Sequence, residues 1–218
     1  MLISLFTWIV KITGWLPKHI FLRNKIYYED KNMQSRKIKG SAIVVANHNS
    51  VMDFAVMMYT FPFKTLRCVV AEVLYQKNFI FSIFLRMMGT VRVDRSNHDF
   101  EFIEKCSSIL SKGGTVEIYP ESRLPKKGEE RPLPFAPSTV YLALETGAPI
   151  IPVYNARKGI SPKGSSMIIG KPINLRDFYD EQLDEKQNIE NLNKMLRGKI
   201  IELGKQLEQS KEKEKIRQ

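Results

Sequence analysis

Cysteine and histidine are scarce in this chain. Two cysteines, Cys68 and Cys106, and three histidines occur in 218 residues, and neither cysteine stands in a CxxC or metal-ligand spacing. A disulfide framework and a zinc constellation are therefore excluded, and no metal site is expected. Both cysteines fall in apolar runs, so buried reduced thiols are expected, as in a cytoplasmic compartment. Repeats and Ser/Gly-rich linkers are also missing, which leaves one main domain. Acidic residues are the minority: 23 Asp and Glu face 34 Lys and Arg, a net charge of +11. That balance favours anionic partners. No helix-turn-helix, RRM or zinc-finger signature accompanies it, and the lysines are spread out, so nucleic acid is not expected. An anionic membrane surface suits the charge better.

Long apolar runs are lacking too. Residues 1–17, MLISLFTWIVKITGWLP, are interrupted by Lys11 and followed by Lys18, Arg23 and Lys25. Crossing a bilayer takes about 20 consecutive apolar residues, so this stretch is short for a span. A basic start and a small-residue cleavage site, which a signal peptide needs, are not evident. Trp8 and Trp15 with nearby cations fit a helix lying in the membrane interface, at the cytoplasmic face. The competing reading is a helix packed on the domain core.

What the chain does have is 43% hydrophobic residues, enough for a continuous core. β-branched runs at 41–46, 67–71, 90–94, 115–119, 150–154 and 166–169 predict strands, and residues 19–28 offer another. Helical stretches at 51–60, 74–88, 98–112 and 137–146 lie between them. This alternation predicts an α/β domain with a central mixed, largely parallel sheet flanked by helices. A last helix at 188–209 puts Ile189, Leu192, Leu196, Ile200, Leu203 and Leu207 on one side. The expected organisation is a membrane-associating segment at 1–30, a domain at 31–210, and a charged tail at 211–218 that frays into solvent.

One polar cluster interrupts this pattern. The run Val44-Val45-Ala46 ends in Asn47-His48-Asn49-Ser50, and Asp53 follows His48 by five positions. A buried strand thus delivers an imidazole to a loop, with a carboxylate at the next helix start. Such a pair can act as a general base near neutral pH, the carboxylate fixing tautomer and orientation. Ser50 with Asp53 is also a capping-box-like pair, in which Asp53 simply accepts backbone N–H groups. Asn47 and Asn49 read as loop and turn residues.

Three further blocks follow: Gly89-Thr90-Val91-Arg92-Val93-Asp94-Arg95, Tyr119-Pro120-Glu121-Ser122-Arg123, and Ala148-Pro149-Ile150-Ile151-Pro152-Val153-Tyr154. Together with His48-x4-Asp53, and in this order, they resemble the PlsC-like glycerolipid acyltransferases, which acylate glycerol phosphate and lysophosphatidic acid. The resemblance implies acyl transfer from acyl-CoA or an acyl carrier protein thioester, without a further cofactor, to a phosphorylated glycerolipid hydroxyl. His48 and Asp53 would be catalytic, Arg95 and Arg123 would hold the acceptor phosphate, and Gly89, Glu121 and Ser122 would shape the site. Guanidinium suits phosphate because its planar fork binds it bidentately.

Departures from the family pattern are also visible. Ser122 replaces a glycine, Arg123 arrives one position early, and Ala71 stands where a phosphate-contacting lysine is usual. Arg67, Lys77 or Arg86 would then have to compensate. The two prolines of the fourth block predict an edge or bulged strand, which in the family shapes the acyl-donor side of the pocket. Met57, Met58, Phe79, Phe81, Phe84, Met87 and Met88 are candidate walls of an acyl tunnel, with core packing as the alternative. Three competing functions remain at this point: an acyltransferase on a different lysolipid acceptor, a thioester or lipid-ester hydrolase, and a non-catalytic peripheral lipid-binding protein.

Overall fold

The computed structural model describes residues 2–94, 101–156 and 164–216. Two helices, α1 (Leu2–Thr13) and α2 (Trp15–Phe21), precede β1 (Asn24–Tyr28) and β2 (Ala42–Ala46). Then come α3 (Asp53–Thr60), β3 (Leu66–Ala71), α4 (Val73–Gln76), α5 (Phe79–Met87), β4 (Val91–Val93), α6 (Glu101–Ser111) and β5 (Thr115–Ile118). The chain finishes with α7 (Ser138–Thr146), β6 (Ile150–Asn155), β7 (Ser165–Ile169), a 3-10 turn (Leu175–Phe178) and α8 (Glu185–Ile216). The strands form one sheet in the order β1-β7-β6-β2-β5-β3-β4. All neighbours are parallel except β6 and β7, so β1 and β7 run against the other five. The α/β architecture with a mixed, mostly parallel sheet is the one the alternation predicts.

β2 sits mid-sheet and every residue in it is buried. Ile43 and Val45 face one core with α7 and α8, while Ala42, Val44 and Ala46 face another with α3. Burial on both faces explains why this strand reads as a continuous apolar run rather than an alternation. On α8 the stripe Ile189, Leu192, Leu196, Ile200, Leu203 and Leu207 is fully buried, each side chain contributing about 1.5–3 kcal/mol of burial.

Several local expectations change. The stretch 74–88 is two helices, because Asn78 turns extended and caps the second, its side chain accepting from the N–H groups of Ile80 and Phe81. His19 belongs to α2, and only Asn24–Tyr28 forms the strand. That strand pairs with β7, so the sheet reaches back into the segment assigned to residues 1–30. Residues 211–216 of the tail do not fray as expected. Helix α8 continues to Ile216, and Glu214 accepts the Tyr27 hydroxyl at 2.7 Å and pairs with Lys25 of β1.

Of the two expectations for the proline-bracketed block, the edge position is not found, whereas its pairing on one side is interrupted and shifts by one residue. β6 lies between β2 and β7. Pairing with β7 covers only Val153–Asn155, and a separate bridge joins Ile150 to Ile173. Pro152 falls between them, where its missing N–H interrupts no ladder, and its carbonyl still accepts from Gly170 N at 2.8 Å.

Candidate active site

His48 and Asp53 flank the turn between the carboxyl end of β2 and the start of α3, beside the ends of β5 and β6. In open α/β sheets this is where ligands bind. His48 Nδ1 lies 3.0 Å from Asp53 Oδ2. The same oxygen accepts the backbone N–H groups of Asn49 and Ser50, each at 2.8 Å. The other, Oδ1, accepts Asn155 Nδ2–H at 3.1 Å. Asp53 is fully buried. Both sequence readings of this carboxylate therefore hold at once: it gathers backbone donors and it orients the imidazole. With Nδ1 donating to a carboxylate, Nε2 is the basic nitrogen.

Asparagines hold this turn in place. Asn47 is buried, its Nδ2 donating to Asn155 O at 3.0 Å while its Oδ1 accepts Asn155 N–H at 2.7 Å. Asn49 Nδ2 donates to the same carbonyl at 2.8 Å. Asn47 and Asn49 are thus structural pins rather than plain turn residues. Asn155, absent from the sequence expectations, joins the end of β6 to Asp53. Its signal in the sequence is the one His48 gave: a polar residue directly after a buried apolar strand. This is also the contribution of the fourth block, since residues 148–154 do not line the cavity beside His48.

The Tyr119–Arg123 segment supports His48 from the β5 side. The Tyr119 ring packs on the imidazole, with centroids 4.6 Å apart and planes at 31°. Glu121 accepts His48 N–H at 2.7 Å through one oxygen and Leu133 N–H at 2.8 Å through the other. It shapes the site through these two backbone bonds. Ser122 adopts a left-handed conformation at φ 61°, the geometry for which glycine is usual. The Arg123 fork is closed on Glu129 at 2.7 and 2.8 Å. The arginine holds the Glu129 carboxyl down at about 2.

Arg131 donates from Nη1 to Asn49 Oδ1 at 3.4 Å, in the turn between His48 and Asp53. Nothing in the motif spacing singled it out. Arg95 lies outside the described residues. Gly89, at φ 66°, follows α5, and a side chain there would collide with Arg67 Nη1 and with Ile3. It is required for close packing rather than for ligand contact.

His48 opens onto a cavity of about 330 Å³. Its walls are apolar, formed by Val51, Phe54, Leu74, Phe81, Leu85 and Phe102 among others. Ala71 lines it, and so does Lys77, the compensating candidate that the structure brings to the site. Of the proposed tunnel residues only Phe81 is here. Met57 is core, Met58, Phe84 and Met88 line a smaller void, Met58 and Phe84 also line a groove under α1 and α2, and Phe79 and Met87 are exposed. Helical spacing could not separate these fates.

Behind His48, Tyr119 donates its hydroxyl to Glu117, a carboxyl buried in β5. Burial pushes Glu117 up to about 8, helped by the charge on Asp53, so it is protonated at neutral pH. Burial first, then Glu117 and Asp53, also pushes the Cys68 thiol well up. A neutral thiol is a poor nucleophile, so this cavity-lining cysteine is not an activated one.

A model of the acyltransferase family matches residues 25–155. The 1-acyl-sn-glycerol-3-phosphate acyltransferase of Cocos nucifera is 26% identical over 167 residues, 74% of this chain and 53% of that protein. That of Borreliella burgdorferi is 29% identical over 174 residues, 75% of this chain and 66% of that protein. The chain spans little more than half the length of the first of these relatives. The crystal structure of the 1-acyl-sn-glycerophosphate acyltransferase PlsC from Thermotoga maritima superposes with a TM-score of 0.56 at 16% identity, covering 93% of this chain and 95% of that one. At that identity the likeness speaks for the fold. The family match itself spans the His48–Asp53 turn, the Tyr119–Arg123 segment and Asn155, and this chain belongs to the acyltransferase family.

Proposed function

We propose that this protein transfers an acyl group from a thioester to the hydroxyl of a phosphorylated glycerolipid precursor, 1-acyl-glycerol-3-phosphate, giving phosphatidic acid. The observation that carries this reading is the Asp53-held imidazole at the wall of an apolar cavity. His48 Nε2 takes the acceptor hydroxyl proton as that oxygen attacks the thioester carbonyl. The tetrahedral adduct then collapses, the carbon–sulfur bond breaks, and the departing thiolate takes the proton back from the imidazolium. Asp53 stabilises the cationic imidazole between these steps. The acceptor is the nucleophile, so no side chain becomes acylated. The donor is an acyl-CoA or an acyl carrier protein thioester, and the net charge of +11 suits either phosphate-bearing carrier.

Acceptor phosphate is held by cations around the site. Arg95 and Arg123 carry that role by resemblance, although Arg123 must first leave Glu129. Lys77 lines the cavity beside His48 and Arg131 reaches Asn49, and Lys77 takes over from the lysine absent at Ala71. The working surface is the cytoplasmic face of an anionic membrane. Leu5, Ile9 and Ile12 of α1, and Trp15, Leu16 and Ile20 of α2, expose their side chains, as an interfacial pair of helices does. Among the described residues no helix is long and apolar enough to cross a membrane.

Thioester turnover by protein on vesicles, with lysophosphatidate, glycerol phosphate or no acceptor, tests the reaction. Turnover that depends on lysophosphatidate and disappears in His48→Ala is expected. Equal turnover without acceptor would make the protein a hydrolase. Deleting residues 1–17 should weaken sedimentation with anionic vesicles, and undiminished sedimentation refutes the membrane role.

A further inference from the structure

The turn that carries the dyad stands between two apolar compartments. His48, Val51 and Phe54 line the cavity described above, whereas Met52, Phe54 and Ala55 line a second one. This second compartment is a groove of about 550 Å³ between the α1–α2 pair and α3. Val10, Pro17 and Phe21 wall it on the helix-pair side, and Met58 and Tyr59 on the α3 side. Lys18 is the charged residue among its lining, with its ammonium 5.8 Å over the Tyr59 ring. Phe21 both lines the groove and is 48% exposed. The groove therefore opens onto the same apolar surface that α1 and α2 present to solvent. Phe54, next to Asp53, is the wall the two compartments share.

We propose that the groove holds the acyl chain of the lysolipid acceptor, and that the cavity beside His48 takes the chain of the thioester donor. The inference rests on the acyl-transfer reading given above. That reaction joins two substrates that each carry a chain and must bring their polar ends together at one imidazole. A partition at Phe54, immediately beside the dyad, lets the two chains diverge while the hydroxyl and the thioester carbonyl meet. An acceptor chain that slides from a bilayer into a groove opening on the membrane-facing helices stays in apolar surroundings throughout. The donor, arriving from water, uses the cavity on the sheet side of the turn.

Thr13→Trp tests this assignment. Thr13 lines the groove, is exposed, and spends its hydroxyl on carbonyls of its own helix, Ile9 and Val10. The substitution therefore adds bulk to the groove without removing a tertiary hydrogen bond. With palmitoyl-lysophosphatidate, KM should rise at least about fivefold as the chain loses room. KM for hexanoyl-lysophosphatidate and for the thioester donor should stay within about twofold, since neither depends on a filled groove. Equal increases for both acceptors, an unchanged KM for the long one, or an increase for the donor instead would overturn the assignment.

A second measurement needs no turnover. Lysophosphatidate carrying a diazirine near the chain end is photolysed with wild-type protein on vesicles, without donor. Adducts on Met58, Tyr59 or Phe21 are expected. Adducts confined to Leu74, Phe81 or Leu85, or none at all, would refute the groove. If acceptor-dependent turnover is absent while these adducts form, the acyl-transfer reading fails and the chain-binding groove stands.

Discussion

Replacing Asp53 by asparagine separates the carboxylate as a hydrogen-bond acceptor from the carboxylate as a charge. Three donors, His48 Nδ1 and the backbone N–H groups of Asn49 and Ser50, point at Oδ2, and one, Asn155 Nδ2, points at Oδ1. An amide supplies one oxygen and one NH2 group. The majority of donors draws its oxygen to the Oδ2 position and leaves the NH2 facing Asn155. Imidazole orientation and tautomer therefore survive, and what is lost is the negative charge beside the forming imidazolium. Opposite charges about 4 Å apart interact by about 4 kcal/mol at an effective dielectric of about 20. With the proton about half transferred at the transition state, about 2 kcal/mol is forfeited, roughly 30-fold in kcat. His48→Ala removes general-base catalysis altogether and should cost about 10²–10⁴-fold. Both variants are to be assayed for acceptor-dependent thioester turnover, with urea titrations to compare folding. Asp53→Asn should also lose about 2–4 kcal/mol of stability, as charge-assisted bonds become neutral ones and a donor faces a donor. An Asp53→Asn protein as inactive as His48→Ala, or as active as wild type, would refute this account of the site.

Glu117→Gln keeps an acceptor for the Tyr119 hydroxyl but removes a titration. The native carboxyl, raised from 4.5 to about 8, binds a proton that the unfolded chain releases, so wild-type stability is lost as pH rises from about 4.5 to about 8. The advantage of Glu117→Gln should therefore grow by about 1.4 kcal/mol per pH unit in that window, and a constant difference in urea titrations at pH 5 and 7 would contradict it. Ser122→Gly should stabilise the protein by about 0.5–1 kcal/mol, because the left-handed backbone is strained for serine; a loss in the same titration would show that the side chain matters more. Arg131→Ala and Lys77→Ala should each raise acceptor KM about tenfold, and Arg123→Ala less than about threefold; the reverse order would make Arg123 the main hold on the phosphate. Lys11 donates to the carbonyls of Pro62 and Lys64 at 2.8 and 2.9 Å, so Lys11→Met should speed amide exchange in α1 while leaving β2 unchanged, as hydrogen-exchange mass spectrometry can read.

The fold was legible wherever one periodicity dominated. β2, the α8 stripe and the alternation of strands with helices follow from burial patterns that sequence displays directly. The His48–Asp53 pair was legible because polar residues break an apolar strand at a fixed spacing. Arg131 and Asn155 were not, since their contacts with Asn49 and Asp53 join segments that lie about eighty or more positions apart in sequence. Arg123 was read from its motif, yet a local carboxylate six positions on, Glu129, claims its fork. Methionine and phenylalanine spacing on α3 and α5 announces an apolar face without saying whether it meets core, cavity or solvent. The charged composition of residues 211–218 reads as a fraying tail, because the partners of Glu214 lie on β1, nearly two hundred positions away in sequence.

Pro152 also acts as a registration mark. Gly170 has no room for a side chain, since a Cβ there would come within 2.8 Å of the Pro152 ring and 2.9 Å of Leu203. The proline without a donor and the glycine without a side chain are thus matched across the strand gap like a notch and its key. A slip of β7 by one position would exchange Met167 and Ile169, which belong to the α3-side core, with Ile168, which belongs to the α8-side core. It would also bring a bulkier residue against the proline ring. Only one alignment of the antiparallel strand therefore satisfies both layers, and that alignment sets the end of β6 from which Asn155 reaches Asp53.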